Sequence, residues 1–250
     1  MFLIVDNMLN QQQNKDILHL CKRASLDHVC IESDNINGEQ VFLSEGQNIF
    51  DYLDKSYANY FLLGSYGLAE NMRAKGFLSG HNLSNLTQDI QIEKWGSSSF
   101  LNGEHSIVNA CTIAQYDGVR FFRPLIDTKA FLAGVYTFDE LRPKLSDESL
   151  IMSSVKDIQA EYRFIIVNGV IADSSSYKIG TQVSITEKAP FDFTLFVESL
   201  LSTWMPTEHF ALDVASIDGT PKIIEVNNIH CSRFYGCSLS KIIEKVLYKI

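Results

Sequence analysis

The sequence predicts an α+β protein in two parts, a small α/β domain over residues 1–116 and a second domain over residues 117–250. Short apolar segments alternate with helical stretches in the first part, which is typical of an α/β sheet. Hairpin signals follow one another in the second part. Residues 78–104 are rich in Ser, Asn and Gly, and we interpret this stretch as a connecting loop.

Composition limits the classes of function. The chain has 250 residues, of which 46% are hydrophobic and 20% are charged, so its apolar mass suffices for one large or two medium cores. Lys and Arg number 21 against 30 Asp and Glu, and the formal net charge is −9. Because phosphate-backbone binding depends on clustered Lys and Arg, we expect no nucleic-acid partner.

The N-terminus and the cysteines predict a cytoplasmic protein. The apolar run at 1–5 ends at Asp6, which is too short for a signal-peptide core, and no run reaches the roughly 20 apolar residues of a membrane span. We therefore expect no membrane partner. The five cysteines are an odd number, which fits reduced thiols. His230, Cys231 and Cys237 lack the paired Cys-x-x-Cys spacing of a zinc site, so we favour buried or incidental thiols.

The first part shows four short apolar segments and one helical pattern. Apolar residues at near-helical spacing predict a helix around 16–21. No Gly-x-Gly-x-x-Gly motif follows the first strand and no Gly-Lys-Ser/Thr loop occurs there, so neither a dinucleotide site nor a P-loop is indicated. The predicted strands are 2–5, 29–32, 60–63 and 90–92.

The second part begins with a predicted strand over 119–123. Thr137-Phe138-Asp139-Glu140 matches a capping box, in which Thr and Glu satisfy each other's backbone N–H groups at a helix start. Asn168-Gly169 lies between two apolar runs and predicts a two-residue hairpin turn, because both residues tolerate positive φ. Helices are predicted over 191–204 and 239–249.

A second hairpin turns at Asp218-Gly219. A strict two-residue loop sends Asp213 and Glu225 to opposite faces, whereas a three-residue loop with a bulge makes them face each other. We predict the three-residue loop. Asn227 then shares the face of Glu225, because side chains alternate along a strand.

Two carboxylates directly opposite each other repel unless a cation lies between them. Hard oxygens from Asp213, Glu225 and Asn227 suit Mg²⁺ or Mn²⁺, so we predict a metal site there. The alternative is a solvated hairpin with acidic residues on its exposed side, and the residues alone leave it open.

These residues resemble a known signature. Asp213, followed twelve residues later by Glu225-Val226-Asn227, is similar to the metal-binding element of the ATP-grasp superfamily, whose carboxylate–amine ligases hold Mg–ATP between two α+β lobes. Over about residues 119–236 the chain resembles a short ATP-grasp clade of bacteria and phages. The other residues that carry this resemblance are Phe122-Arg123-Pro124, Asp127, Lys129, Phe131, Gly134, Glu161-Tyr162-Arg163 and Ser176-Tyr177.

The resemblance implies the ATP-grasp fold, two α+β lobes clasping ATP, for residues 117–250, preceded by a small α/β substrate domain. It also implies ATP and Mg²⁺ or Mn²⁺ as cofactors, with the metal held by Asp213, Glu225 and Asn227. The implied nucleotide-binding residues are Arg123, Lys129, Met152, Ser153, Ser154, Val155, Glu161, Arg163 and Lys178, and the implied catalytic residues are Lys129, Arg163 and Arg233.

The nucleotide site departs from the family pattern in one place. Many family members cover the triphosphate with a glycine-rich loop, but residues 125–130 contain no glycine before Gly134. Phosphate contacts are therefore expected from the side chains of Arg123 and Lys129. Residues 152–155 are the implied hinge strand along which adenine lies, although a buried connecting strand has the same pattern.

The implied activity is ATP-dependent carboxylate–amine ligation. An acylphosphate forms, an amine attacks it, and an amide or peptide-like bond results together with ADP and phosphate. The expected substrates are a small-molecule or peptide carboxylate and an amine. Their identity is expected to depend on the N-terminal domain and on the loop 228–236, with His230, Arg233 and Tyr235. A homo-oligomer is compatible with the sequence.

Three other functions remain as alternatives. A small-molecule kinase uses the same metal site, and a non-catalytic ATP-binding protein keeps the fold, although two opposed carboxylates without a metal then destabilise it to no purpose. Gln115-Tyr116-Asp117-Gly118-Val119-Arg120 differs by one residue from the Lys-x-Asp-Gly-x-Arg signature of nucleotidyltransferase-type nucleic-acid ligases. Because Gln115 cannot replace the nucleophilic Lys, we favour an Asp-Gly turn there.

Overall fold

The strands of the protein form three sheets. The computed structural model describes residues 2–6, 28–32, 42–43, 60–63, 66–76, 83, 86–109, 113, 116–125, 131–145, 149–185 and 188–248. None of the helices in these ranges is both long enough and apolar enough to span a membrane. Among the same residues, the N-terminal, the central and the C-terminal thirds of the chain each contribute strands.

The first sheet confirms the predicted α/β start of the chain. It has the order β3-β2-β1-β4, and β1 runs parallel to both β2 and β4. The predicted strands at 2–5, 29–32 and 60–63 are confirmed, whereas the helix predicted around 16–21 lies outside the described residues. The four strands are β1 (Phe2–Asp6), β2 (His28–Glu32), β3 (Phe42–Leu43) and β4 (Tyr60–Leu63), and helix α1 (Tyr66–Ala74) follows them.

The polar stretch predicted as a connecting loop contains a helix, α2 (Gln88–Trp95), so the strand predicted at 90–92 is wrong. The side chain of Thr87 accepts a hydrogen bond from the backbone N–H of Ile90, which caps the helix start. Ile90 and Ile92 alternate as in a strand, yet Ile90 is 40% exposed. The residues that α2 buries are Gln88, Gln91 and Trp95, at helical spacing.

The second sheet is antiparallel with the order β5-β8-β6-β7. Phe122, Leu150 and Met152 form its core together with Leu141. Its strands are β5 (Ser106–Asn109), β6 (Arg120–Pro124), β7 (Gly134–Tyr136) and β8 (Ser149–Ser153). Strand β5 precedes residue 117 and the other three follow it, so a domain division at 116/117 stays a prediction.

Helix α3 (Phe138–Leu141) begins at the predicted capping box. The side chain of Thr137 accepts from the backbone N–H of Glu140, and the Glu140 carboxylate accepts from the Thr137 N–H at 2.8 Å. This prediction is confirmed because a capping box depends only on residues three positions apart.

The third sheet is antiparallel with the order β11-β10-β9-β12-β13. The predicted turn at Asn168-Gly169 joins β9 to β10, with φ values of 52° and 77°. The strands are β9 (Ala160–Val167), β10 (Val170–Ile179), β11 (Gln182–Val183), β12 (Phe210–Ile217) and β13 (Thr220–Asn228).

Two helices cover opposite faces of this sheet. Helix α4 (Phe191–Thr203) packs on the face that carries Phe164, and helix α5 (Leu239–Tyr248) packs on the face that carries Ile165. Strand β9 is therefore buried along its whole length. Burying one such apolar side chain contributes about 1.5–3 kcal/mol, so the sheet is a rigid base for the polar residues on it.

Candidate active site

The facing pair Asp213 and Glu225 is present, but the hairpin reaches it by another route. The turn is a two-residue loop, with φ of 49° at Asp218 and 75° at Gly219, so the predicted three-residue loop is wrong. The pairing shifts by one residue between Asp213 and Val214, which leaves Ile224 as the extra residue of a β-bulge. Beyond the bulge, Asp213 lies directly opposite Glu225, as predicted.

Four polar residues lie in one row across neighbouring strands. Ser175 of β10 lies opposite Arg163 of β9, Arg163 lies opposite Asp213 of β12, and Asp213 lies opposite Glu225 of β13. Directly opposed residues point to the same face of a sheet. The row is therefore a polar strip on the face that also carries Ile165, and we call it the polar row.

Arg163 and Asp213 form a buried bidentate ion pair. Nε of Arg163 donates to Oδ1 of Asp213 at 2.7 Å, and Nη2 donates to Oδ2 at 2.6 Å. Arg163 is 6% exposed and Asp213 is 2% exposed. Burial raises the pKa of Asp213 to about 6, and the Arg163 guanidinium opposes that rise while Glu225 and Glu161 add to it. Burial acts to lower the pKa of Arg163, but the hydrogen bonds to Asp213 raise it, so Arg163 stays cationic.

Asn227 connects the two opposed carboxylates. Its Nδ2 donates to Oδ2 of Asp213 at 3.2 Å and to Oε1 of Glu225 at 2.9 Å. The repulsion expected between Asp213 and Glu225 is thus relieved by a guanidinium and an amide of the chain itself. A metal is not required to explain why the two acids face each other.

The same residues nevertheless fit a divalent metal. Among the described residues no group of three His, Cys, Asp or Glu side chains is placed to hold an ion, but the predicted set contains only two such residues and an amide. The amide oxygen and nitrogen of Asn227 exchange places by rotation of the side-chain amide. Its oxygen then joins the two carboxylates, which gives the hard oxygen donors that Mg²⁺ and Mn²⁺ prefer. The metal stays a prediction.

Glu161 and Lys178 form a second ion pair on the same face. Nζ of Lys178 donates to Oε1 of Glu161 at 2.7 Å, and the Tyr177 side chain also hydrogen-bonds Glu161. Tyr177 is the extra residue where the β9–β10 register shifts, and this shift places Lys178 opposite Glu161. Burial raises the pKa of the Tyr177 hydroxyl, so Tyr177 is a neutral donor.

The segment 232–236 contacts Arg163. Nη1 of Arg163 donates to the backbone oxygen of Arg233 at 2.8 Å, while the Arg233 side chain is exposed. The Tyr235 ring stacks on Tyr177 with centroids 4.7 Å apart, and the Arg163 guanidinium lies 4.9 Å from the Tyr235 centroid. Tyr235 has a φ of 48°, a backbone conformation that side chains rarely adopt. No pattern in the sequence indicated that Tyr235 and Tyr177 enclose Arg163.

The predicted nucleotide residues are divided between the second sheet and its exit. Arg123 is half-buried and lies opposite Ile151 in the second sheet. The Met152 side chain packs in the core of that sheet, so only its backbone is left for the predicted contact. Ser153 ends β8 and is buried, and Ser154 and Val155 are exposed. Lys129 lies outside the described residues.

Residues 154–159 connect the second sheet to the third without helix or strand. Ser154 and Val155 begin this linker, whereas Met152 and Ser153 belong to β8. The predicted hinge strand is therefore half sheet and half linker. The polar row and this linker are the two places where the predicted site residues collect, together with Arg123.

The chain matches a known family over most of its length. A sequence model of an ATP-grasp domain, the third family of one clade, matches residues 69–246, well over half of the chain, so the protein belongs to the ATP-grasp superfamily. The match begins before residue 117, in α1. Comparison with curated proteins gives no significant match.

Solved structures show the same fold at low sequence identity. D-cycloserine synthetase DcsG is 10% identical with a TM-score of 0.64, and each chain is covered to 99%. Macrocyclase MdnC from Microcystis aeruginosa, bound with its precursor peptide MdnA, is 13% identical with a TM-score of 0.60 and complete coverage of both chains. D-alanine–D-alanine ligase from Bacillus anthracis is 13% identical, with a TM-score of 0.55 and coverage of 99% of this chain and 94% of that one.

Proposed function

From membership of the ATP-grasp superfamily as premise, we propose that the protein is an ATP- and Mg²⁺-dependent carboxylate–amine ligase acting in the cytoplasm. A substrate carboxylate oxygen attacks the γ-phosphorus of ATP, ADP leaves, and an acylphosphate forms. An amine nitrogen then attacks the acyl carbon, phosphate leaves, and the nitrogen loses a proton. The observation that carries this proposal is the polar row, in which two buried or half-buried acids and an amide meet beside a buried Arg.

Asp213, Glu225 and Asn227 are the proposed metal ligands. When bound, Mg²⁺ joins phosphate oxygens to the protein and offsets their charge. Both oxygens of Asp213 accept from Arg163, so metal binding requires Asp213 to share or release at least one of them. The Arg163 donor that is freed is then available to the transferred phosphoryl group, which is the role proposed for this residue.

The other proposed contacts follow the nucleotide outward from the metal. Glu161 and Lys178 lie on the same sheet face as the polar row, and Lys178 is a cation that reaches solvent there. The backbone of Ser154 and Val155 in the linker is proposed to read the adenine edge. Arg123 and Lys129 are proposed to contact the phosphates, and Arg233, whose side chain is exposed, the substrate.

A peptide is one proposed substrate class. The fold neighbour MdnC is described with a bound precursor peptide, and PsnB, at 9% identity, with a minimal precursor. These are properties of those proteins, and their support for this chain is the shared fold. We propose a small-molecule or peptide carboxylate as the group that is activated.

The test is ADP release in the presence of MgATP with and without pooled carboxylates, amino acids and amines. We expect release that depends on both a carboxylate and an amine, and loss of turnover in Glu225→Gln, which removes the charge and keeps the shape. Ile224→Val, beside it in the bulge, is the matched control. Near-normal ADP formation by Glu225→Gln contradicts the assignment.

The structure also favours keeping a second candidate, a non-catalytic ATP-binding protein. The argument against it was that opposed carboxylates without a metal destabilise the fold, and Arg163 and Asn227 remove that objection. Nucleotide binding without ADP release under any substrate pool is the result expected for this candidate. Phosphorylation of an alcohol in the pool is the result expected for a kinase.

A further inference from the structure

Residues 96–103, between α2 and β5, form a compact turn that we call the bridging turn. Gly96 has a φ of 79°, which favours glycine. A Cβ atom on Gly103 would lie 1.8 Å from the backbone oxygen of Ser97, so only glycine fits there. The turn is held closed on itself, and its shape depends on these two positions.

One side of the bridging turn is attached to the third sheet. Phe100 pairs in parallel with Ile223 of β13, and the N–H of Leu101 donates to the Ile223 oxygen at 2.8 Å. Nζ of Lys222 donates to the Ser98 oxygen. The turn therefore continues the edge of the sheet that carries the polar row.

The other side is attached to the second sheet through Asn102. Oδ1 of Asn102 accepts from the Ser153 hydroxyl at 2.8 Å, and both residues are buried, with Asn102 4% exposed. The backbone oxygen of Asn102 independently accepts from Nε2 of Gln88 at 3.0 Å. The backbone of Asn102 is thus fixed by α2, and its side chain is available to fix Ser153.

Ser153 is the last residue before the linker 154–159. At the far end of the linker, Gln159 donates its backbone N–H to Ser216 at 3.0 Å and accepts with Oε1 from the Asp218 N–H at 2.7 Å. Between these two anchors the residues 154–157 are exposed. The linker is therefore held at both ends, by Asn102 at its start and by the third sheet at its end.

We propose that Asn102 is a positioning residue for the nucleotide. By holding Ser153, it fixes the start of the linker and the spacing between the second and third sheets. A linker that is ordered before binding loses less conformational freedom when a ligand contacts it, and affinity rises accordingly. The effect on nucleotide affinity rests on the proposed function, whereas the anchoring of the linker does not.

The experiment measures two quantities on the full chain. Calorimetry gives the affinity for a non-hydrolysable ATP analogue with Mg²⁺, and amide hydrogen exchange without nucleotide gives the opening of residues 149–159. Asn102→Ala and Ser153→Ala each remove one partner of the bond. We expect each to weaken nucleotide affinity about tenfold and to speed exchange at 149–159 more than elsewhere.

Three further variants make the result specific. Ser153→Thr keeps the hydroxyl and should restore both quantities. Ser99→Ala is the matched control, because it removes a 2.8 Å hydrogen bond from the same turn to Trp95 without touching the second sheet. The double variant Asn102→Ala with Ser153→Ala should be no worse than either single variant, since both remove the same bond.

The outcomes separate the two proposals. A wild-type protein that does not bind the nucleotide overturns the proposed function, and the exchange rates then test the anchoring alone. A wild-type protein that binds, with Asn102→Ala and Ser153→Ala binding equally well, overturns the inference and leaves the proposed function intact. Exchange at 149–159 that is unchanged in both variants also overturns the inference.

Discussion

One face of the third sheet has two halves that are equally buried and chemically opposite. Ile165 and Ala211 lie opposite each other in the half under α5, and both are fully buried. Arg163 and Asp213 lie two residues farther along the same two strands and are almost as buried. Burial alone therefore does not distinguish the site from the core.

The difference between the two halves is what each side chain depends on. An apolar side chain is stabilised by leaving water and by its many contacts, each of them weak. A buried charge is stabilised only by specific partners, because its loss of hydration is large. The same strands thus carry a half that tolerates small changes and a half that does not.

The largest expected effect follows from removing one partner in the polar half. Arg163→Ala leaves Asp213 buried without its cation, and we expect a loss of about 3–5 kcal/mol in the free energy of unfolding. Asp213→Ala together with Arg163→Ala removes both charges and should cost less than Arg163→Ala alone. Urea denaturation near pH 7.5 measures the difference, and an Arg163→Ala variant as stable as the wild type contradicts this account.

The pH dependence of that loss has a defined sign. Burial raises the pKa of Asp213 and Arg163 opposes the rise, so Arg163→Ala should raise this pKa further above its value in the unfolded chain. A carboxyl group whose pKa is raised by folding contributes stability below the unfolded pKa and loses it as pH rises through the folded pKa. The destabilisation by Arg163→Ala should therefore be small near pH 4 and grow toward neutral pH. A loss that is equal at both pH values speaks against a buried charge as its cause.

A smaller effect is expected in the apolar half. Ile165→Val removes one methylene group from a fully buried side chain and should cost about 0.5–1.5 kcal/mol. The loss should not change between pH 4 and neutral pH, since no charge is involved. Nucleotide affinity should stay within the error of the wild-type value, measured by calorimetry on the same samples.

The smallest effect is expected for the ion pair at the exposed margin of the site. The Lys178 side chain is 39% exposed, so Lys178→Ala should change the free energy of unfolding by no more than about 1 kcal/mol. Denaturation at low and high salt gives the check, because added salt should make the variant and the wild type more alike. A larger, salt-independent loss indicates that Lys178 belongs with the buried half.

Local signals in the sequence predicted the elements, and some of the site. The capping box at Thr137 and the Asn168-Gly169 turn are confirmed, because each depends on residues a few positions apart. The strand predicted at 90–92 is wrong, since two alternating isoleucines outweighed the Thr87 cap. The facing of Asp213 and Glu225 was predicted with the wrong loop, and the bulge at Ile224 that produces it has no sequence signal.

The partners of the polar row could not be predicted in the same way. Arg163 and Asp213 are fifty residues apart and meet only because β9 pairs with β12 in one register. The bond from Asn102 to Ser153 likewise joins a stretch interpreted as a plain loop to the end of a distant strand. Contacts of this kind are set by the packing of the whole domain, and a single sequence does not contain them in readable form.

Crystallography of the protein with Mn²⁺ and a non-hydrolysable ATP analogue, using the anomalous signal of manganese, tests the central claim most directly. The account predicts a manganese peak within coordination distance of oxygens from Asp213, Glu225 and Asn227, with Arg163 turned from one Asp213 oxygen toward the nucleotide phosphates. Bound nucleotide with no manganese at these residues, and with Arg163 still bidentate on Asp213, would contradict it.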